Sequence, residues 1–193
     1  MIWNNLRDKK VILASQSPRR IELLKGMGIE FETCSADLDE HFPEELLGPA
    51  IPEYLAQVKG AYFQHLVNHK TVLITADTIV WFGEMALNKP RNPEEAFNML
   101  SALSGQTHQV FTAVFIQNGE RQWRIIDETK VHFKRLEAAE IEYYIQHHSP
   151  FDKAGSYGVQ DYIGYIGIEK LEGSYYNVMG FPTHKVHEIL KLI

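Results

Sequence analysis

Apolar and polar positions change their period several times along this chain, and each change predicts an element. A short apolar run, Val11 to Ala14, predicts a buried strand. It breaks at Ser15-Gln16-Ser17, just before Pro18, a residue favoured at the first position of a helix. Ile21, Leu23 and Leu24 then make an apolar face that Gly26 or Gly28 ends, so the stretch reads as strand, polar turn, helix, with Ser17 placed to cap. Ile29 to Ser35 predicts a second strand, followed by the acidic loop Ala36-Asp-Leu-Asp-Glu-His-Phe-Pro43. Pro52 opens an amphipathic helix over Glu53 to about Asn68, with Tyr54, Leu55, Val58, Tyr62 and Leu66 on one face and Lys59 beside it. Thr71 to Trp81 carries the strongest strand pattern, and Phe82-Gly-Glu-Met85 follows as a hairpin turn. Asn92 caps a helix that has Pro93 at its first position and runs to Leu103.

From Thr107 the period becomes that of long strands. Val110 to Gln117, the turn Asn118-Gly119, and Arg121 to Phe133 predict an antiparallel ribbon, and a helix follows over about Ala138 to His147. The next stretch, Phe151-Asp-Lys-Ala-Gly-Ser-Tyr-Gly-Val-Gln160, sets two glycines among small residues, which permits close backbone approach in a tight bend or around a ligand. Within it, Asp152 beside Lys153 also fits a plain ion pair. Tyr162 to Ile168 and Tyr175 to Val178 predict further strands, and Pro182 begins a closing helix over Thr183 to Leu192.

Composition narrows the function classes. The chain has 193 residues, 45% hydrophobic and 23% charged, which predicts one globular domain with a full core. A net charge of −6 argues against a general nucleic-acid binder, which needs a broad basic surface. A small polyphosphate is different, because a few cations and a divalent metal can hold it on an otherwise acidic protein. The first ten residues are too polar for a signal peptide, and no apolar stretch is long enough to span a bilayer, so a cytoplasmic protein is expected. The single cysteine, Cys34, excludes an internal disulfide and any cysteine-based zinc site, and is expected buried in its strand. His184 and His187 lie one turn apart and read as surface histidines.

Two places carry unexplained charge. Arg19 and Arg20 stand in the first turn of the first helix, where they oppose the macrodipole; a phosphate bound at the turn by free amides and the Ser15 and Ser17 hydroxyls would reverse that penalty. The alternative is a capped surface helix with solvated arginines. Asp77 and Thr78 interrupt the apolar strand, and a charged carboxylate left alone in the interior would cost several kcal/mol. Asp77 is therefore a candidate metal ligand or general base, or else a strand-end carboxylate satisfied by an amide. Asp37, Asp39 and Glu40 are further candidate metal ligands or simply solvated acids, and Lys89 falls in a loop between two elements.

Taken together, these motifs resemble the Maf or Maf-like nucleotide pyrophosphatases, also called septum formation inhibitors. The resemblance covers nearly the whole of residues 1–193, read as a single domain. It rests on Leu13-Ala-Ser-Gln-Ser-Pro-Arg-Arg20, Leu55-Ala56 with Lys59, Ala76-Asp-Thr-Ile-Val80, Lys89-Pro-Arg91, Ser104-Gly-Gln-Thr-His-Gln-Val110, Asp152-Lys-Ala-Gly155 with Tyr157-Gly158 and Gln160, and Gly173-Ser-Tyr175. The resemblance implies an α/β fold with a long bent mixed sheet flanked by helices, two lobes around a cleft, similar to the inosine triphosphate pyrophosphatases. It implies hydrolysis of a nucleoside triphosphate between the α and β phosphates with a divalent cation, Mg, Mn or Co.

Carried over by position, Ser15, Arg19 and Arg20 would hold the triphosphate, with Lys59 and Lys89 neutralising charge. Glu40 and Asp77 would bind the metal, and Asp77 would take the proton from the attacking water. Ser17, Asp152 and Lys153 would support them. Arg20, Thr78 and Gln160 resemble the branch that prefers dTTP and UTP, and Ser17-Pro-Arg-Arg20 has Arg where the branch acting on methylated GTP carries Tyr. A methylated-GTP enzyme and a non-catalytic, nucleotide-binding regulator of cell division are the rival readings, and a homodimer is implied. One departure is Gly60, where the family usually has Ala after the lysine.

Overall fold

The first strand, β1, spans Lys10–Ala14 and is buried except at Lys10; it pairs in parallel with β2 (Glu32–Cys34) and β3 (Thr71–Phe82). In register, Leu13 lies abreast of both Thr33 and Ile74. The polar turn after β1 therefore lies abreast of residues 75–77 of β3, at the carboxyl end of the parallel pairing, where α/β proteins bind ligands. The computed structural model describes residues 3–38 and 40–193. Its seven strands form one mixed sheet in the order β2-β1-β3-β5-β6-β7, with the short β4 (Met85–Leu87) paired antiparallel to β3. β5 (Thr107–Asn118) and β6 (Arg121–Phe133) are the expected ribbon, and β7 (Ile168–Glu172) closes the far edge antiparallel to β6.

Two compact units divide the chain. One comprises residues 1–77, 112–127 and 180–193; the other comprises 78–111 and 128–179. In the first, α1 (Pro18–Gly26) follows β1 as predicted, α2 (Ala50–Tyr62) leads by a 3₁₀ turn toward β3, and α7 (Thr183–Leu190) closes the chain. In the second, α3 (Pro93–Leu103) and α4 (Ala138–His148) bury Leu100, Leu103, Ile141, Tyr144 and Ile145 against Val110, Val131 and Phe133 of the strands. The hairpin between β3 and β4 turns on Gly83 and Glu84, both at positive φ (57° and 66°), the two-residue turn that matches strand twist. Asn92 caps α3 by accepting from Glu95 N–H at 2.8 Å. Asn92→Ala should therefore cost about 1 kcal/mol in urea unfolding, and a loss under about 0.3 kcal/mol would contradict a capping role.

Several expectations are corrected. The second strand is shorter than Ile29 to Ser35, and Cys34 at its end is only partly buried. Tyr162–Gly167 and Tyr175–Val178 are short helices, α5 and α6, rather than strands. Tyr165 N–H bonds back to the Asp161 carbonyl, and the Ser174 hydroxyl caps α6 by accepting from Asn177 N–H, so local helical bonds win over the apolar run. On α2 the buried face is Ile51, Leu55, Ala56 and Gly60, while Tyr54, Val58 and Tyr62 point outward. The reason is close packing: a Cβ at Gly60 would stand 2.5 Å from the Phe115 ring, so the helix approaches β5 through its smallest residues. The departure to glycine at position 60 is thus matched by Phe115.

Candidate functional site

In the first unit, β1 ends at Ala14 and the chain turns through Ser15-Gln16-Ser17 into α1. Ser15 Oγ accepts from Ser17 N–H at 3.1 Å and sets this turn. Ser17 occupies the cap position, but its side chain makes no capping hydrogen bond, which corrects the expected role of its hydroxyl. No acidic residue stands in the first turn of α1, and Arg19 and Arg20 do. Arg20 is held from both sides, donating from Nε to the Gly180 carbonyl and from Nη1 to the Ala76 carbonyl, each at 2.9 Å. Burial lowers its proton affinity while nearby Asp77 raises it, and a guanidinium stays charged throughout. The first turn of α1 is therefore tied to β3 one residue before Asp77.

Asp77 is 7% exposed. Its position follows from two periods. Thr75 and Asp77 share a face of β3, and Thr75 Oγ1 donates to the Ala56 carbonyl at 2.6 Å, fixing α2 against the strand. Lys59, one turn beyond Ala56, then reaches Asp77 Oδ1 with its Nζ at 2.5 Å and Glu40 Oε1 at 3.0 Å. The Lys59 side chain is 16% exposed and bridges two carboxylates. Burial pushes the Asp77 carboxyl above the ordinary carboxylate range, and Lys59 and Arg20 pull it back. Asp37 is exposed in the acidic loop, and Asp39 lies outside the described residues.

The second unit holds the remaining candidates. Thr78 is half-buried on β3, and Lys89 is exposed in the loop leading to α3, next to Asn88, whose carbonyl accepts from Gly155 N–H at 3.3 Å. Lys153 pairs with Asp152 at 2.7 Å, as expected, and also lies 3.6 Å from Asp161. Gln160 is half-buried, with its Oε1 buried. Two residues outside the sequence motifs, Asp161 and Tyr144, support this segment together with Tyr157 of the Tyr157-Gly158 motif. Their links span 14 to 49 residues, so no local spacing announces them. His108 Nε2 bonds the Tyr157 hydroxyl at 2.6 Å, and both rings pack edge-on against Phe133.

Burial, aided by the charge of His132, pushes His108 down to about 3 from its ordinary 6.5. Below 6.5 the unfolded chain binds a proton that folded His108 refuses until about 3, so stability falls as pH drops through that window, by up to about 1.4 kcal/mol per pH unit. His108→Gln should flatten this slope in urea unfolding between about pH 7 and pH 5. Equal slopes for the two proteins would contradict it.

A mixed α/β chain that gathers arginine and lysine at the carboxyl edge of parallel strands, around a buried carboxylate, has the build of a phosphate-handling enzyme. The chain belongs to the Maf-like family, whose model, described as Maf-like protein, matches residues 10–193. A Bacteroides fragilis protein named dTTP/UTP pyrophosphatase is 46% identical over 188 residues, 97% of each chain. A Flavobacterium johnsoniae protein of the same name is 43% identical over 190 residues, 98% of each chain. The solved structure of the Staphylococcus aureus Ham1 protein is 14% identical and covers 65% of this chain and 72% of that one, with a TM-score of 0.48.

Proposed function

We infer that this chain is a nucleoside triphosphate pyrophosphatase that hydrolyses dTTP and UTP to the monophosphate and pyrophosphate. The observation that carries the chemistry is the bridge from Asp77 through Lys59 to Glu40, beside the Arg20 tether. In the reaction, water attacks the α phosphorus, the bond from that phosphorus to the bridging oxygen breaks, and pyrophosphate leaves. Such hydrolysis needs charge neutralisation and an aligned water, with no covalent nucleophile.

Within this reading, Arg19, Arg20 and the Ser15–Ser17 turn bind phosphate oxygens, and Lys59 and Lys89 add positive charge. Asp77 takes the water's proton, and its raised proton affinity makes it a better base than a solvated carboxylate. Thr78 and Gln160 bind the substrate and, with Arg20, match the dTTP- and UTP-preferring branch, and Ser17, Asp152 and Lys153 support the binding residues. Glu40 and Asp77 are the residues that would hold a divalent cation, Mg, Mn or Co. Two carboxylates already converge on one ammonium, and the described residues hold no group of three or more His, Cys, Asp or Glu. That donor set fits a hard cation that takes its other ligands from phosphate and water. Such a cation, when bound, neutralises phosphate charge and acidifies water.

The nucleotide is the partner. None of the described helices is long and apolar enough to cross a membrane, and the net charge of −6 speaks against nucleic acid. A single functional domain, a cytoplasmic place and, implied by the family resemblance, association as a homodimer complete the reading. The test is a panel of dTTP, UTP, CTP, GTP and methylated GTP, each with Mg²⁺ and with EDTA. Metal-dependent turnover should be highest with dTTP and UTP and abolished by EDTA. Preference for methylated GTP, or no turnover at all, would overturn it.

A further inference from the structure

The two cations beside Asp77 are held in different ways. Arg20 donates to two backbone carbonyls, those of Gly180 and Ala76, which fix it whatever the state of the carboxylates. Lys59 instead donates to side chains, to Asp77 Oδ1 at 2.5 Å and to Glu40 Oε1 at 3.0 Å. One ammonium thus takes an oxygen from each of the two carboxylates that converge here, one from the acidic loop and one from β3. Glu40 is the half of this bridge that water reaches, and Asp77 is the buried half.

An ammonium and a divalent cation satisfy the same pair of carboxylates and repel each other, so they take the place by turns. The lysine starts with an advantage. A group tethered to the chain competes as though present at about millimolar concentration. A free cation must also shed tightly held water before it can displace that group. A polyphosphate alters the balance, because its oxygens offer the ammonium another anion while it carries a cation in with it. The flexible four-carbon stem of lysine lets the charge move, which the doubly tethered Arg20 does not allow.

We propose that Lys59 is a placeholder for the divalent cation. It keeps Glu40 and Asp77 paired in the free protein, shuts out cations that arrive alone, and releases the two carboxylates only when a cation comes with a polyphosphate. Cation and nucleotide therefore bind together, with no cation-first state. This rests on the reading of Glu40 and Asp77 as the residues that hold the cation.

The experiment measures binding of Mn²⁺ alone, from the electron paramagnetic resonance of the unbound ion, to the wild type, to Lys59→Met and to Lys59→Met combined with Glu40→Gln. Lys59→Met should bind Mn²⁺ about tenfold or more tightly than the wild type, and Glu40→Gln should cancel the gain. A merely structural lysine would lower stability on substitution with no gain in affinity. Equal affinity in the wild type and Lys59→Met, or a gain that survives Glu40→Gln, overturns the placeholder role. Should Lys59→Met fold too poorly to titrate, the wild type decides alone. Mn²⁺ without nucleotide should raise its melting temperature by less than about 3 °C, and a larger rise overturns the proposal. A separate arm titrates the wild type with the α,β-methylene analogue of dTTP in Mn²⁺ and in EDTA, where Mn²⁺ should tighten binding by about tenfold. Without that tightening the cation reading of Glu40 and Asp77 fails, and this inference with it. Tightening of the analogue, together with equal Mn²⁺ affinity in the wild type and Lys59→Met, removes the placeholder alone.

Discussion

Asp77→Asn should lower kcat with dTTP by about 10² to 10⁴ while leaving the fold in place. Asparagine has the shape of aspartate but can neither take a proton nor carry charge. Asp77 is nearly buried, and holding its charged form there is costly, a cost that Asn removes. Lys59 keeps Glu40 as a partner at 3.0 Å, so no ammonium is abandoned in the interior. The free energy of urea unfolding should therefore change by no more than about 1 kcal/mol in either direction, because an unfavourable burial and a favourable pairing are lost together. Binding of dTTP, measured in the presence of Ca²⁺ or at short times, should persist. Turnover within about threefold of wild type would show that Asp77 is not the base.

Lys59→Met should give a different profile. The methionine fills the lysine stem but leaves the Asp77 carboxylate buried without its nearest cation, and breaking a buried pair from one side costs about 3–5 kcal/mol. Lys59 is 16% exposed and Asp77 9% by side chain, so water relieves part of this and the expected loss in urea unfolding is about 2–3 kcal/mol. KM for the triphosphate should rise as well, since a phosphate-facing charge is gone. A stability change below about 1 kcal/mol would mean that Lys59 does not carry the Asp77 charge. The two variants separate chemistry from support: one loses rate and keeps stability, and the other loses stability and substrate affinity.

The local grammar of the chain was readable. An apolar run broken by Ser-Gln-Ser-Pro gave β1, its turn and α1, and Asn92-Pro93 gave the start of α3 with the cap as built. The position of Asp77 inside an apolar strand was enough to single it out, because burial of a lone carboxylate demands a partner. Which partner could not be read from spacing. Lys59 is 18 residues away and reaches Asp77 only because Thr75 docks α2 on β3. The face of α2 was misread for a related reason: tyrosines weigh heavily in a hydrophobic count, whereas the contact with Ala113 and Phe115 is made by Ala56 and Gly60. The repeat of apolar residues and glycines at 162–167 suits strand and helix alike, and a backbone bond to Asp161 decides for helix. Asp161 and Tyr144 escaped notice because their pairing crosses 17 residues and involves ordinary residue types.

Turnover of dTTP in ¹⁸O-enriched water shows which phosphorus the water attacks. Attack on the α phosphorus, with pyrophosphate leaving whole, gives TMP carrying one ¹⁸O and unlabelled pyrophosphate, and this is the expected result. Label in the pyrophosphate would place the attack on the β phosphorus, and release of orthophosphate with dTDP would place the cleavage between the β and γ phosphates; either result contradicts it.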